Sequence, residues 1–209
     1  MIRIPTARTA LLVVDMQNGF CHPDGSFGKA GADVSGCADA IPGSVALIEA
    51  AHAAGVPVYA TRAIHEPGLA DWNMLAELPM YAGLVELGSC EEGTWDAAFV
   101  DGLPLDEQDR IYSKSRFSPF VETTIDADLR AAGIENLVTC GVGTSACVET
   151  TVRDASQRSY RTFIVAEGTG DISLDAHEHS LALMGSLFGY TVTLEDVLAA
   201  WSEGGGDAS

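Results

Sequence analysis

Three residues in this sequence could together carry nucleophilic chemistry: Asp15, Lys114 and Cys147. A thiol attacks as its thiolate, so a cysteine nucleophile needs surroundings that favour negative sulfur. Cys147 follows the apolar run 136–142 through a short Gly-Thr-Ser-Ala turn and opens a helical pattern. A helix N-terminus carries about half a positive charge and unpaired N–H groups, and both favour an anion. The N–H groups of the 142–147 turn could also hold a tetrahedral oxyanion. Asp15 closes the apolar run 10–14, where a partly desolvated carboxylate could shuttle protons. Lys114 would add positive charge beside the thiol. Each has an ordinary structural alternative: a small buried hydrophobe for Cys147, a turn cap for Asp15, a solvated amine for Lys114. Cys140 reads as a core residue, and Cys21, Cys37 and Cys90 sit in no supporting pattern.

The elements that must position these residues alternate along the chain. Apolar runs at 10–15, 56–62, 110–114, 136–142, 161–166 and 190–194 predict six strands. Amphipathic spacing predicts helices over 42–54, 123–132, 146–158, 175–188 and 195–201, the first two stopped by Gly55 and Gly133. Continuous apolar strands separated by helices imply an α/β fold: a three-layer, doubly wound, six-stranded parallel sheet with helices on both faces. Ligands of such sheets bind outside the carboxyl ends of the strands. Asp15, Lys114 and Cys147 all fall there. Segment 63–109 is rich in Gly, Pro, Trp and acidic residues with little period, which suggests a pocket lid or an oligomer contact.

With 209 residues the chain suits one domain, taken here as 1–203, with a disordered tail at 204–209. A net charge of −19 argues against nucleic acid and anionic membrane surfaces as partners. Five cysteines without a CxxC or CxxH pair argue against a disulfide framework or a zinc site, and fit a reducing cytoplasm. The run at 10–14 is too short for a spanning helix, and no signal-peptide cleavage pattern follows it.

Four motifs, DMQNGF at 15–20, EGTWDAAF at 92–99, YSKSRFSPF at 112–120 and GVGTSACVETTVRDA at 141–155, resemble in type and order those of the isochorismatase-like cysteine hydrolases. The resemblance spans about residues 8–195. Within that superfamily the chain is most similar to amidohydrolases such as the ureidoacrylate, N-carbamoylsarcosine and biuret hydrolases. The resemblance implies a catalytic triad of Asp15, Lys114 and Cys147. It also implies a cis peptide at Val142–Gly143, an oxyanion hole made by the N–H groups of Gly143 and Cys147, and a homodimer or homotetramer. Metal-binding relatives carry an Asp-x-His pair after strand two. Here Thr61-Arg62-Ala63-Ile64-His65 lacks it, so no metal or other cofactor is expected, and His65 reads as a pocket residue.

The chemistry implied is hydrolysis of a non-peptide amide or ureido C–N bond of a small molecule through a Cys147 thioester. The alternatives are a vinyl-ether hydrolase of the isochorismatase type, which commonly lacks the cysteine, and a non-catalytic interaction protein on the same scaffold. Candidate substrate contacts are Phe20, His65, Trp72, Trp95 and Phe117, with Arg116 as a bidentate partner for a substrate carboxylate or as a structural ion pair.

Overall fold

The computed structural model describes residues 4–204. In chain order its elements are β1 (Thr9–Val14), α1 (Asn18–Cys21), α2 (Ser26–Lys29), α3 (Ser35–Asp39), α4 (Ile41–Ala54) and β2 (Val58–Ala63). A 3-10 segment (Pro67–Glu77) and α5 (Ala82–Leu87) follow, then β3 (Arg110–Lys114), α6 (Ile125–Ala131) and β4 (Asn136–Val142). A π turn (Thr144–Val148), α7 (Glu149–Gln157), β5 (Arg161–Gly170), α8 (Leu174–Leu187), β6 (Tyr190–Val192) and α9 (Leu194–Gly204) complete it. Of the expected tail, Gly204 closes α9 and residues 205–209 lie outside the described residues.

The six strands form one sheet in the order β3-β2-β1-β4-β5-β6, and every pairing is parallel. β1 shows how the core is divided. Its side chains alternate across the sheet, as the pleat requires. Leu11 and Val13 join Leu47, Ile48, Val197 and Trp201 from α4 and α9 on one face. Ala10, Leu12 and Val14 join Ile125, Leu129, Val152 and Met184 from α6, α7 and α8 on the other. Both faces are covered, so the strand has no polar side and reads as an unbroken apolar run.

The strand order reverses between β1 and β4, which opens a crevice at their carboxyl ends. The two strands meet there without an intervening side chain: a Cβ at Gly141 would lie 2.0 Å from the Val14 carbonyl oxygen, and the backbone at Gly141 has φ +125°. Only glycine fits. The β4–β5 register also shifts, from Thr139 opposite Ile164 to Gly141 opposite Thr169. The residues looped out there extend β5 to Gly170, four residues past its expected end, and the Glu167 carboxylate among them accepts from the Leu194 N–H at the start of α9.

Gly141→Ala forces a methyl against the backbone of a central strand. It is expected to lower stability by about 3 kcal/mol, read as a shift in the urea midpoint, because neither strand can yield without losing its partner.

Candidate active site

Asp15 stands immediately past β1 in a left-handed conformation, φ +53°, which is rare for a residue with a side chain. The backbone is held there by the Asp15 N–H donating to the Thr61 carbonyl at 3.1 Å. The Thr61 hydroxyl donates to Asp15 Oδ1 at 2.8 Å, and Lys114 Nζ lies 2.5 Å from Oδ2. Both charged side chains are 1% exposed. Lys114 is the last residue of β3 and reaches across the end of β2. Its ammonium has three donors and three partners: Asp15, the Arg116 carbonyl at 3.0 Å and Cys147 Sγ at 3.5 Å. The three residues expected to act together therefore meet at one point. Burial pulls the Lys114 pKa down, but the Asp15 carboxylate and the Cys147 sulfur beside it outweigh this and leave the amine above its ordinary value. It stays an ammonium.

Cys147 rests as a neutral thiol. Burial pushes its pKa up to about 12, Lys114 counters this, and the Asp15 carboxylate, to which the thiol hydrogen-bonds, adds to the rise. The resting site is thus an ammonium–carboxylate pair with a neutral thiol beside it. Cys147 sits within a π turn, Thr144–Val148, ahead of α7. The Thr150 and Thr151 hydroxyls donate to the carbonyls of Ala146 and Cys147, at 2.7 and 2.5 Å, and so satisfy groups that an ordinary first turn would leave to its own N–H donors.

The turn before Cys147 departs from expectation. No cis peptide occurs among the described residues, so the Val142–Gly143 bond is trans. Gly143 makes the bend instead by adopting φ +71°, ψ +58°, a conformation that glycine takes at no steric cost. Its carbonyl accepts from the N–H groups of Ala146 (2.9 Å) and Val148 (3.1 Å). Asp171, just past β5, anchors the same turn. Its Oδ2 accepts from the Ser145 N–H at 2.7 Å and the Ser145 hydroxyl at 2.9 Å. Nothing in the sequence singled out Asp171, although it stands at a strand's carboxyl end like the other three.

A cavity of about 300 Å³ opens onto Cys147 and Lys114. Phe20, His65, Trp72, Arg116 and Phe117 line it, as the sequence suggested. Trp95 does not. Its neighbour Asp96 turns inward to accept from the N–H groups of Ser26 and Cys90, and this turns the Trp95 ring outward onto His22, where it is 50% exposed. The EGTWDAAF segment is instead a brace behind DMQNGF: Gln17 bonds the backbone of Ala63 and Ala97, and Asn18 donates to the Trp95 carbonyl. Segment 63–109 walls this chain's own cavity through Trp72, Leu75, Met80 and Tyr81, which the sequence pattern left unassigned except for Trp72.

His65 has both ring nitrogens committed. The Trp72 indole, which can only donate, bonds Nε2 at 2.6 Å, so the proton sits on Nδ1 and faces Asp71 at 2.9 Å. Burial holds its pKa below the ordinary histidine value. Arg116 is held by the carbonyls of Asp71 and Ser115, the Ser115 hydroxyl, and Glu122 at 3.6 Å.

Residues 9–196 match the Isochorismatase domain family. The chain is 34% identical to the ureidoacrylate amidohydrolase of Methylobacterium radiotolerans, over 90% of this chain and 78% of that one. It is 32% identical to the ureidoacrylate amidohydrolase of Azorhizobium caulinodans, over 97% and 94%. The crystal structure of a cysteine hydrolase from Pseudomonas syringae pv. phaseolicola superposes with a TM-score of 0.86 at 26% identity, covering 98% of this chain and 97% of that one.

The carboxylate beside the thiol sets the direction of one experiment. Asp15 holds the Cys147 thiol up, so Asp15→Asn should lower its pKa and speed alkylation at pH 8 by roughly tenfold, one pKa unit, even as turnover is lost. Iodoacetamide labelling followed by mass spectrometry at Cys147 checks this; slower labelling in the variant would mean that Asp15 acts as the thiol's base at rest.

Proposed function

The chain belongs to the isochorismatase family and is a hydrolase of amide or ureido C–N bonds, and we propose that Cys147, Asp15 and Lys114 carry that reaction. The observation that supports the assignment is the meeting of the three side chains, from the ends of three strands, at the mouth of one cavity.

The substrate carbonyl enters beside Cys147. As sulfur attacks the carbonyl carbon, the thiol proton passes to Asp15, and Lys114 balances the charge left on the sulfur side. The N–H of Cys147 receives the oxyanion. The Gly143 N–H joins it. Asp15 then returns the proton to the departing nitrogen, the C–N bond breaks, and an amine or ammonia leaves a thioester on Cys147. Water attacks the thioester with Asp15 as base, the C–S bond breaks, and the thiol regains its proton. Lys114 keeps its charge throughout.

A reducing compartment, the cytoplasm, suits an enzyme that depends on a free thiol. A homodimer or homotetramer suits the exposed Met74, Leu78 and Met80 of the 63–109 segment.

Ammonia release from a panel containing nicotinamide, biuret, N-carbamoyl amino acids and 3-ureidoacrylate tests the reading. Wild type should release ammonia from at least one member. Cys147→Ala should be slower by about 1,000-fold or more, the scale seen when a nucleophile acting as part of a unit is removed. Turnover retained in Cys147→Ala would rule out the thioester.

A further inference from the structure

His65 stands just past the end of β2, and its backbone is fixed to the chain that returns beside it. Its N–H donates to the Cys90 carbonyl and its carbonyl accepts from the Glu92 N–H, both at 3.0 Å. These bonds close the base of an excursion, 67–87, that walls the Cys147 cavity through Trp72, Leu75, Met80 and Tyr81.

The excursion has an apolar cluster of its own. Leu69, Trp72 and Leu84 form it, with Phe27 and Tyr81 packed against them. Among the described residues, none of these belongs to the two clusters that flank the sheet. Burial holds this wall together internally, and directional bonds fix where it stands over the site. Asp71 accepts from the Glu66 N–H at 3.0 Å and faces His65 Nδ1 at 2.9 Å, and its carbonyl accepts from Arg116 Nη1 at 3.0 Å. The Trp72 indole N–H donates to His65 Nε2 at 2.6 Å, with the two rings edge to face at 4.8 Å. Trp72 in turn meets Tyr81 edge to face at 5.1 Å, which carries the hold of His65 to the far part of the wall.

The Trp72 bond depends on one atom. An indole N–H can only donate, so it needs a bare ring nitrogen opposite it. His65 provides one because its proton is kept on Nδ1, facing Asp71. Both His65 and Trp72 are buried. An apolar side chain at position 65 would leave the indole N–H without an acceptor, and the ring would move outward to find water.

We propose that His65 is a positioning residue: by accepting from the Trp72 indole it pins the 67–87 wall over Cys147 and so sets how large a molecule reaches the sulfur. Its effect on turnover rests on the amidohydrolase reading above, whereas its effect on access to the sulfur does not.

The test reads access and turnover separately. Cys147 is labelled with N-ethylmaleimide and with the bulkier pyrene maleimide in the wild type, His65→Leu, His65→Gln and Trp72→Phe, and each rate is read at Cys147 by mass spectrometry. The ratio of the two rates cancels any change in the thiol itself. Trp72→Phe keeps a ring in the wall and removes the donor, and His65→Gln keeps a neutral acceptor. The bulky-to-small ratio should rise about tenfold in His65→Leu and in Trp72→Phe, the factor that one hydrogen bond can carry, and stay within about threefold of wild type in His65→Gln. The double variant with both His65→Leu and Trp72→Phe should rise no further than either alone, because both remove the same bond. For a panel member that the wild type turns over, KM should rise about tenfold in His65→Leu and Trp72→Phe while kcat moves less than about threefold. An unchanged ratio in Trp72→Phe, or a rise in His65→Gln equal to that in His65→Leu, overturns the proposal. So does a fall in kcat with KM unchanged, which would mean that His65 touches the reacting atoms. Should His65→Leu fail to fold, Trp72→Phe and His65→Gln decide alone. Release of ammonia from no panel member counts against the amidohydrolase reading, and the labelling ratios still decide the role of His65.

Discussion

Two opposite charges, Asp15 and Lys114, lie together where neither meets water, and the rest of the site is arranged around that pair. Taking them out of solvent costs several kcal/mol per ion, and the attraction offsets this only if every remaining lone pair and proton is satisfied. Thr61, the Arg116 carbonyl and the Cys147 sulfur provide those contacts from three separate segments. The pair therefore constrains topology. β3 must sit two strands from β1 so that a lysine at its end spans β2, and β4 must flank β1 on the other side so that the following turn brings a sulfur to the same point. Removing one member would leave the other as a buried unpaired charge, a loss of about 3–5 kcal/mol.

Much of this was legible in the sequence because the informative signals were local. β3 and β4 fall at the residues expected, since each is a short run bounded by turn formers. The doubly wound order followed from strands that are apolar on both sides. The helices α1, α2 and α3 were not foreseen, because four or five residues carry no helical period. β5 runs past Ala166 because Thr169 and Gly170 pair with Gly141 and Val142 beyond a register shift, which apolar character does not mark.

The site was legible to the same degree. Strand ends located Asp15, Lys114 and Cys147, but not the contacts that hold them. Asp171 and Thr151 act through hydrogen bonds to the backbone of the turn, which leave no spacing to read. Trp95 misled because a tryptophan in a motif suggests a substrate wall; here the neighbouring Asp96 has the inward position. The weight of burial on the thiol was not legible either, for a physical reason. A helix terminus and a lysine can be seen in a sequence, whereas the density of atoms around a sulfur cannot, and that density has the larger effect.

The neutral resting thiol has a consequence beyond turnover. Peroxide and disulfide exchange attack thiolates, and the first step of cysteine oxidation to the sulfenic acid follows thiolate character. A nucleophile that surrenders its proton only as it meets a carbonyl offers little anion to an oxidant in the meantime. The other four cysteines are buried among the described residues and are shielded by the packing itself. The proposed reaction through Cys147 thus goes with a low standing susceptibility of that sulfur to oxidative damage.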